Sequence, residues 1–178
     1  MSVLVPPIQT ARLELVFMPP EFIEALLAGR LAEAEAIGSF RLPAGWPGED
    51  EHFLGLRLQQ MREDPSQQPW LTRGMVMRHP ERPMIGHIGF HGRPDGGAAE
   101  MGYTVMPEFR RRGYAVEAVN GLMDWASREH GVRRFIISIS PNNAPSLALA
   151  AKFGFQQIGT QMDEEDGLEL VFELLREA

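Results

Sequence analysis

The feature that most constrains the fold is a strand, loop, helix and strand in succession in the second half of the chain. Ala98–Val105 reads as a strand, and apolar residues in 114–129 recur every three or four positions, as on one face of a helix. Residues 135–139 are apolar and rich in β-branched side chains, except for Ser138, as is typical of a central strand. Because such crossovers are right-handed, we expect these two strands to be parallel neighbours.

The rest of the chain predicts further strands and helices around this crossover. Proline and Asp-Gly signals in residues 79–83 and 93–97 favour tight turns, so the strands on either side of each turn should form an antiparallel meander. The other predicted elements are a strand at 10–17, two short helices within 21–40, a helix at 51–61, strands at 70–78 and 84–90, a helix at 144–153, and strands at 155–162 and 169–175. Together they indicate one α/β (α+β) domain, residues 1–178, with a mixed sheet.

Composition excludes several classes of function. The net charge of −7 argues against a nucleic-acid-binding protein, which usually carries a basic excess. Without cysteine, the chain has neither a disulfide nor a thiol nucleophile nor a thiolate metal site. No apolar stretch approaches the roughly 18 residues of a membrane span, and no signal peptide is evident, so we expect a cytoplasmic protein that does not enter the membrane.

The segment between the predicted strand and helix has the properties of an anion site. Its backbone N–H groups belong to the unpaired first turn of the helix, where the positive end of the helix dipole also favours a phosphate. The glycine lets the backbone approach closely, and neither a nucleotide triphosphatase loop nor a dinucleotide-binding loop is present. The segment consists of Arg110, Arg111, Arg112, Gly113, Tyr114 and Ala115.

This R-x-x-G-x-A segment resembles the acyl-CoA pyrophosphate loop of the GNAT superfamily of N-acetyltransferases. Residues 100–110 look like the central strand of that family and the approach to its loop. Asn143 and Ser146 match an N-x-x-S pattern, and residues 152–155 match K-x-G-F, as in the ribosomal-protein N-terminal acetyltransferase (RimJ/RimL-type) branch. Residues 10–13 are similar to the opening strand of that branch.

The resemblance implies a GNAT fold, with helices on both faces of a mostly antiparallel sheet that is splayed between its central parallel strands. It implies acetyl-CoA as cosubstrate, with backbone contacts from Val105 to the pantetheine. It assigns pyrophosphate contacts to the loop around Gly113, with Arg110 at its edge. Asn143 and Ser146 would line the CoA side of the second crossover helix.

Catalysis by such a chain requires a group that accepts the proton of the attacking amine, because amines are largely protonated at neutral pH. Glu100, at the start of the splayed strand, is the preferred base, and the alternative is that it is a structural carboxylate. His87 and His91 are other candidates, and an ordered water is a further one. On a strand the two histidines would be about 13 Å apart, too far to share a metal ion, so no metal site is predicted.

Two further positions remain open. The resemblance to the ribosomal-protein branch implies that Ser146 is the proton donor to the departing thiolate. The tyrosine that many family members use for this step is replaced near the end of the second helix by Ala150. The alternative role of Ser146 is local hydrogen bonding at the helix start. Trp46, in a segment with two prolines and two glycines, lies either in a substrate-binding lid or against the core.

The expected function is transfer of an acetyl group from acetyl-CoA to a primary amine, either a protein N-terminus or a small molecule. The alternative is a GNAT-fold protein that binds acyl-CoA without turnover. The expected partners are acetyl-CoA and the amine, without nucleic acid or membrane, and the resemblance leaves a homodimer open. The identity of the amine is not encoded in any motif that we recognise.

Overall fold

A computed structural model describes residues 4–177 of the chain. The helices are α1 Pro20–Leu27, α2 Leu31–Gly38, α3 Glu51–Glu63, α4 Tyr114–His130 and α5 Ala144–Phe153. The strands are β1 Ile8–Gln9, β2 Leu13–Phe17, β3 Arg73–Met77, β4 Met84–Phe90, β5 Ala98–Val105, β6 Arg134–Ile139, β7 Gln156–Asp163 and β8 Gly167–Leu175. Within residues 4–177, no helix combines the length and the apolar character needed to cross a bilayer.

The strands form one mixed sheet in the order β1-β2-β3-β4-β5-β6-β8-β7. β5 and β6 are parallel, as the crossover predicts, whereas β6 and β8 are antiparallel. The parallel pairing covers three residues of each strand and ends at Glu100 and Ile136, although β5 continues to Val105 and β6 to Ile139. The predicted α/β fold with a mixed sheet is confirmed.

Two compact units can be distinguished along the chain. Unit 1 comprises the residues up to Gly89 together with Tyr103–Leu122, and unit 2 comprises Phe90–Gly102 and the residues from Met123 onward. The core of unit 1 forms where α1 and α3 bury apolar side chains such as Phe22 and Leu54. In unit 2, the ring of Phe90 stacks on those of Trp125 and Phe135, with centroid distances of 6.4 and 6.2 Å.

Most predicted elements are present, and the exceptions have local causes. Residues 70–72, predicted as part of a strand, lie at the end of a 3₁₀ helix and in the turn after it. The side chain of Asp64 caps that helix by accepting a hydrogen bond from the amide of Ser66. The predicted strand 10–17 is also shorter, because Thr10 turns the chain. Its amide donates to the carbonyl oxygen of Leu13 at 2.9 Å, and its hydroxyl oxygen accepts a hydrogen bond from the amide of Leu13 at 3.0 Å. The extra strand β1 precedes this turn.

Close approach of two strands in unit 1 makes Gly86 intolerant of any side chain. A Cβ atom there would lie 2.2 Å from the carbonyl oxygen of Thr104, whereas one on Gly55, in α3, would meet nothing within 4 Å. We expect Gly86→Ala to lower the free energy of unfolding by about 3 kcal/mol through backbone displacement. Gly55→Ala should raise it by about 0.5–1 kcal/mol, because alanine loses less entropy in a helix. Urea unfolding of both variants checks this, and equal stabilities would contradict it.

Candidate functional site

The loop before α4 presents a series of backbone donors to one side. From Arg111 to Val116, no backbone N–H group has a hydrogen-bond acceptor within residues 4–177, and the first helical bond of α4 runs from Glu117 N to Gly113 O, at 3.1 Å. Arg111 and Gly113 have φ of 61° and 80°, in the left-handed region. Left-handed residues within such a run form an anion-binding concavity, or nest. The loop is therefore a candidate anion site at the start of a 17-residue helix.

The three arginines of this loop differ in what they contact. Nε of Arg110 donates to the carbonyl oxygen of Val105 at 2.8 Å, so this side chain closes the turn from β5. The guanidinium of Arg112 lies 5.8 Å from the ring centroid of Phe109. Arg111 is exposed and makes no polar contact with the part of the chain that is described. The charge that is most available to an anion is thus that of Arg111.

A contact that the sequence did not predict joins the opening of β2 to this loop. Arg12 Nε donates to Glu117 Oε2 at 2.6 Å, and Arg12 Nη1 donates to the carbonyl oxygen of Arg112 at 2.9 Å. The hydroxyl of Thr10 donates to Glu117 Oε1, also at 2.6 Å. The only sequence signal for a role of Arg12 was the similarity of residues 10–13 to a family motif. That similarity did not indicate which residues Arg12 would contact.

In unit 2, Glu100 is fixed through one of its two carboxylate oxygens. The hydroxyl of Ser138 donates to Oε1 at 2.8 Å, and Nδ1 of His91 lies 3.7 Å from the same atom. Oε2 has no hydrogen-bond partner within residues 4–177, and the side chain is 34% exposed. Glu100 therefore contacts a serine and a histidine. One oxygen remains available to accept a proton.

Ser138 belongs to a short chain of hydrogen bonds that reaches the edge of the sheet. Nε2 of Gln161, on β7, donates to the Ser138 hydroxyl oxygen at 3.0 Å and to Glu169 Oε2 at 2.8 Å. Because Gln161 donates to the Ser138 oxygen, the hydroxyl hydrogen of Ser138 is left to point at Glu100. The interruption of the apolar run of β6 by Ser138 was the sequence signal for this role, whereas Gln161 had none.

Asn143 and Ser146 lie at the start of α5 in unit 2. Asn143 is the N-cap residue, and its side-chain oxygen accepts a hydrogen bond from the amide of Ser146 at 3.2 Å. This contact accounts for the choice of asparagine at the first position of the N-x-x-S pattern. The predicted roles of both residues toward CoA stay predictions.

His87 lies in a second cluster, in unit 1. Its Nε2 is 3.0 Å from Asp50 Oδ2, the atom that also accepts a bond from Trp46 Nε1 at 2.8 Å, and its ring stacks on Phe53 with centroids 5.4 Å apart. The hydrogen bond from His87 is the main cause that lowers the pKa of Asp50, against an opposing effect of burial. His87 and Trp46 are both buried, which favours packing of Trp46 against the core over a lid.

The Asp50 carboxylate should stabilise unit 1 in a pH-dependent manner. Asp50→Ala leaves the buried donors of Trp46 and His87 without an acceptor, and we expect a loss of about 1–3 kcal/mol at pH 7. The depressed pKa means that this contribution is present above the ordinary aspartate pKa, about 3.9, and is lost as pH falls through the folded-state value. Urea unfolding of the wild type and Asp50→Ala at pH 7 and near pH 3.5 checks this. An equal difference in the free energy of unfolding at both pH values would contradict it.

No group of three histidine, aspartate or glutamate side chains is arranged to hold an ion in the described part of the chain. His87 and His91 each lie beside a different carboxylate.

The sequence and the fold were compared with known proteins. A family model described as an acetyltransferase (GNAT) domain matches residues 12–156. An uncharacterized N-acetyltransferase of Bacillus subtilis, YnaD, is 30% identical over 84 residues, or 47% of this chain and 49% of that relative. The chain thus aligns with about half the length of the curated relatives that it matches.

Solved structures of similar fold include ribosomal-protein acetyltransferases. RimL, a ribosomal L7/L12 α-N-protein acetyltransferase in complex with coenzyme A, has a TM-score of 0.65 and 19% identity, covering 96% of this chain and 98% of RimL. The ribosomal-protein-S5-alanine acetyltransferase of Vibrio fischeri has a TM-score of 0.62 and 15% identity, covering 96% and 97%. At these identities, the likeness is one of fold. The family match covers most of the chain and includes the anion-binding loop, and the chain belongs to the GNAT acetyltransferase family.

Proposed function

We propose that this protein transfers an acetyl group from acetyl-CoA to a primary amine, as an enzyme of the ribosomal-protein N-terminal acetyltransferase type. The observation that carries the proposal is the run of unsatisfied backbone N–H groups from Arg111 to Val116 at the start of α4. A diphosphate fits this run because its oxygens accept several hydrogen bonds at once and its charge suits the helix dipole. Coenzyme A contains such a diphosphate, and the family uses acetyl-CoA.

The proposed contacts to the cosubstrate come from the loop before α4, from the end of β5 and from the start of α5. In the proposal, the amides of Arg111 to Ala115 bind the pyrophosphate, and the exposed guanidinium of Arg111 adds a charged contact. Val105 contributes a backbone contact to the pantetheine, although its carbonyl already accepts a bond from Arg110. Asn143 and Ser146 contribute from the start of α5.

Glu100 is the proposed general base. The amine must lose a proton to attack, and Oε2 is the oxygen of Glu100 that has a lone pair to spare, because the Ser138 hydroxyl is directed at Oε1. The nitrogen forms a bond to the acetyl carbon, the bond from that carbon to sulfur breaks, and the proton of the amine passes to Glu100. The electron pair of the broken bond leaves with the thiolate.

The remaining roles stay predictions. Ser146 is the candidate proton donor to the thiolate, although a thiol with a pKa of about 8.5, like that of cysteine, can leave without one. We predict a protein N-terminus or a small amine as acceptor, a cytoplasmic location and, as an option, a homodimer. Cell fractionation and size-exclusion chromatography with light scattering test the last two.

A thiol-release assay tests the proposed function. Purified protein and acetyl-CoA are incubated with a panel of N-terminal peptides and small amines, and free thiol is measured together with the acetylated product by mass spectrometry. An enzyme releases thiol and forms amide in equal amounts with at least one acceptor. CoA binding without turnover for any acceptor would favour the non-catalytic alternative, and absence of binding would contradict both.

A further inference from the structure

Arg12, which lies just before β2, contacts several parts of the anion-binding loop at once. Besides its bonds to Glu117 and to the carbonyl of Arg112, its guanidinium carbon lies 4.3 Å from the ring centroid of Tyr114. A Cβ atom added to Gly113 would lie 3.4 Å from Arg12 Nη2. One side chain therefore contacts Arg112, Tyr114 and Glu117, and it borders the position that a side chain at residue 113 would take.

Glu117 poses an electrostatic problem for an anion site. It is an acidic residue in the first turn of the same helix whose amides face the anion, and its side chain is only 15% exposed. Burial alone raises the pKa of Glu117, but hydrogen bonds from Thr10 and from the amide and guanidinium of Arg12 lower it below its ordinary value. Glu117 is thus ionised at neutral pH, and its charge would repel a phosphate unless a cation balanced it.

The bond to the Arg112 carbonyl also bears on where the loop amides point. The C=O of Arg112 and the N–H of Gly113 belong to the same planar trans peptide unit, so they point in opposite directions. Because Arg12 Nη1 holds that carbonyl at 2.9 Å, the amide of Gly113 is turned to the side away from the guanidinium. The left-handed φ values of Arg111 and Gly113 are compatible with this orientation.

We infer that Arg12, itself held by Glu117, is a positioning residue for the pyrophosphate loop: it balances the charge of Glu117 and fixes the orientation of the peptide between Arg112 and Gly113. The inference rests on the proposed function, since it concerns the affinity of the same loop for the diphosphate of acetyl-CoA. It differs from the role of the loop residues themselves, because Arg12 acts through them from a segment about 100 positions earlier in the chain.

The test compares two acetyl donors, acetyl-CoA, which has the diphosphate, and S-acetylpantetheine, which lacks it. For Arg12→Gln, we expect the Kd for CoA in titration calorimetry to rise about 10-fold, or ~1.4 kcal/mol. With the best acceptor from the amine panel, kcat/KM for acetyl-CoA should fall by a similar factor. With S-acetylpantetheine, which has no diphosphate, kcat/KM should match that of the wild type. A purely structural role would lower the values for both donors.

Two further variants serve as a control and as a replacement for Arg12→Gln. Arg62→Gln removes an ion pair of the same 2.6 Å length, with Glu24 in α1, and should leave both donors unaffected. If Arg12→Gln does not fold, as judged by circular dichroism, Arg12→Lys takes its place. Lysine retains the charge but cannot bond to Glu117 and to the Arg112 carbonyl with the geometry of a guanidinium. The two acetyl donors, acetyl-CoA and S-acetylpantetheine, are then compared in that variant.

Two outcomes would overturn the inference: an unchanged Kd for CoA, or an equal loss with both donors. Failure of the proposed function is recognised separately, since in that case Gly113→Glu would also leave CoA binding intact.

Discussion

Gly113→Glu is expected to abolish binding of CoA, with a rise in Kd of at least ~100-fold, because like charges brought together at a binding site cost several kcal/mol. The new carboxylate would lie beside the run of amides from Arg111 to Val116, where its charge would oppose that of the diphosphate. The Cβ atom would also meet Arg12 Nη2 at 3.4 Å, and φ of 80° is strained for glutamate. Titration calorimetry with CoA measures the effect.

The matched control for this variant is at the other end of α4. Gly131 has φ of 69° and open space around its Cβ position, so Gly131→Glu introduces the same charge and a similar backbone strain after the helix. We expect its Kd for CoA to equal that of the wild type. Gly113→Ala separates strain from charge, and it should bind CoA more weakly than the wild type but far better than Gly113→Glu. Normal CoA binding by Gly113→Glu would show that the pyrophosphate does not bind this loop.

The elements that were predicted within one residue at each end have strong local signals. β4 begins directly after Pro83 and β5 follows the Asp95-Gly96 turn, so local chain chemistry marks where each strand can start. α5 begins after its N-cap Asn143 and ends at Gly154, which has φ of 82°. The anion-binding loop is equally local, since glycine, the helix start and the arginines lie within six consecutive residues. Local sequence was therefore sufficient for the bounds of these elements and for the position of the loop before α4.

The contacts that orient the functional groups were not predicted, because each joins residues far apart in the chain. Arg12 and Glu117 are separated by 105 positions, and Ser138 and Glu100 by 38. Whether Ser138 reaches Glu100 depends on the register of β5 and β6, which pairs Glu100 with Ile136, and a slip of one residue would turn Ser138 to the opposite face. Register is decided by packing over the whole sheet, and no local pattern encodes it.

Glu100→Gln is expected to lower kcat by about 100- to 1,000-fold, within the range typical of general acid–base catalysis. The amide keeps the size of the side chain and can still accept the hydrogen bond from Ser138, but it has no carboxylate oxygen to receive the proton of the amine. The KM for acetyl-CoA should stay near that of the wild type, because Glu100 is not part of the anion-binding loop. Steady-state kinetics with the best acceptor of the panel separate kcat from KM.

The pH dependence of the fall in kcat caused by Glu100→Gln identifies the step that Glu100 assists. As pH approaches the pKa of the acceptor, about 8 for an α-amine or about 10.4 for a lysine, more of the amine is already neutral. The difference between Glu100→Gln and the wild type should therefore narrow with rising pH. Glu129→Gln, at an exposed position in the last turn of α4, is the charge-matched control and should have normal kcat. Because His91 Nδ1 lies 3.7 Å from Glu100 Oε1, His91→Gln is the decisive comparison: a larger loss in that variant than in Glu100→Gln would assign the base to the imidazole instead.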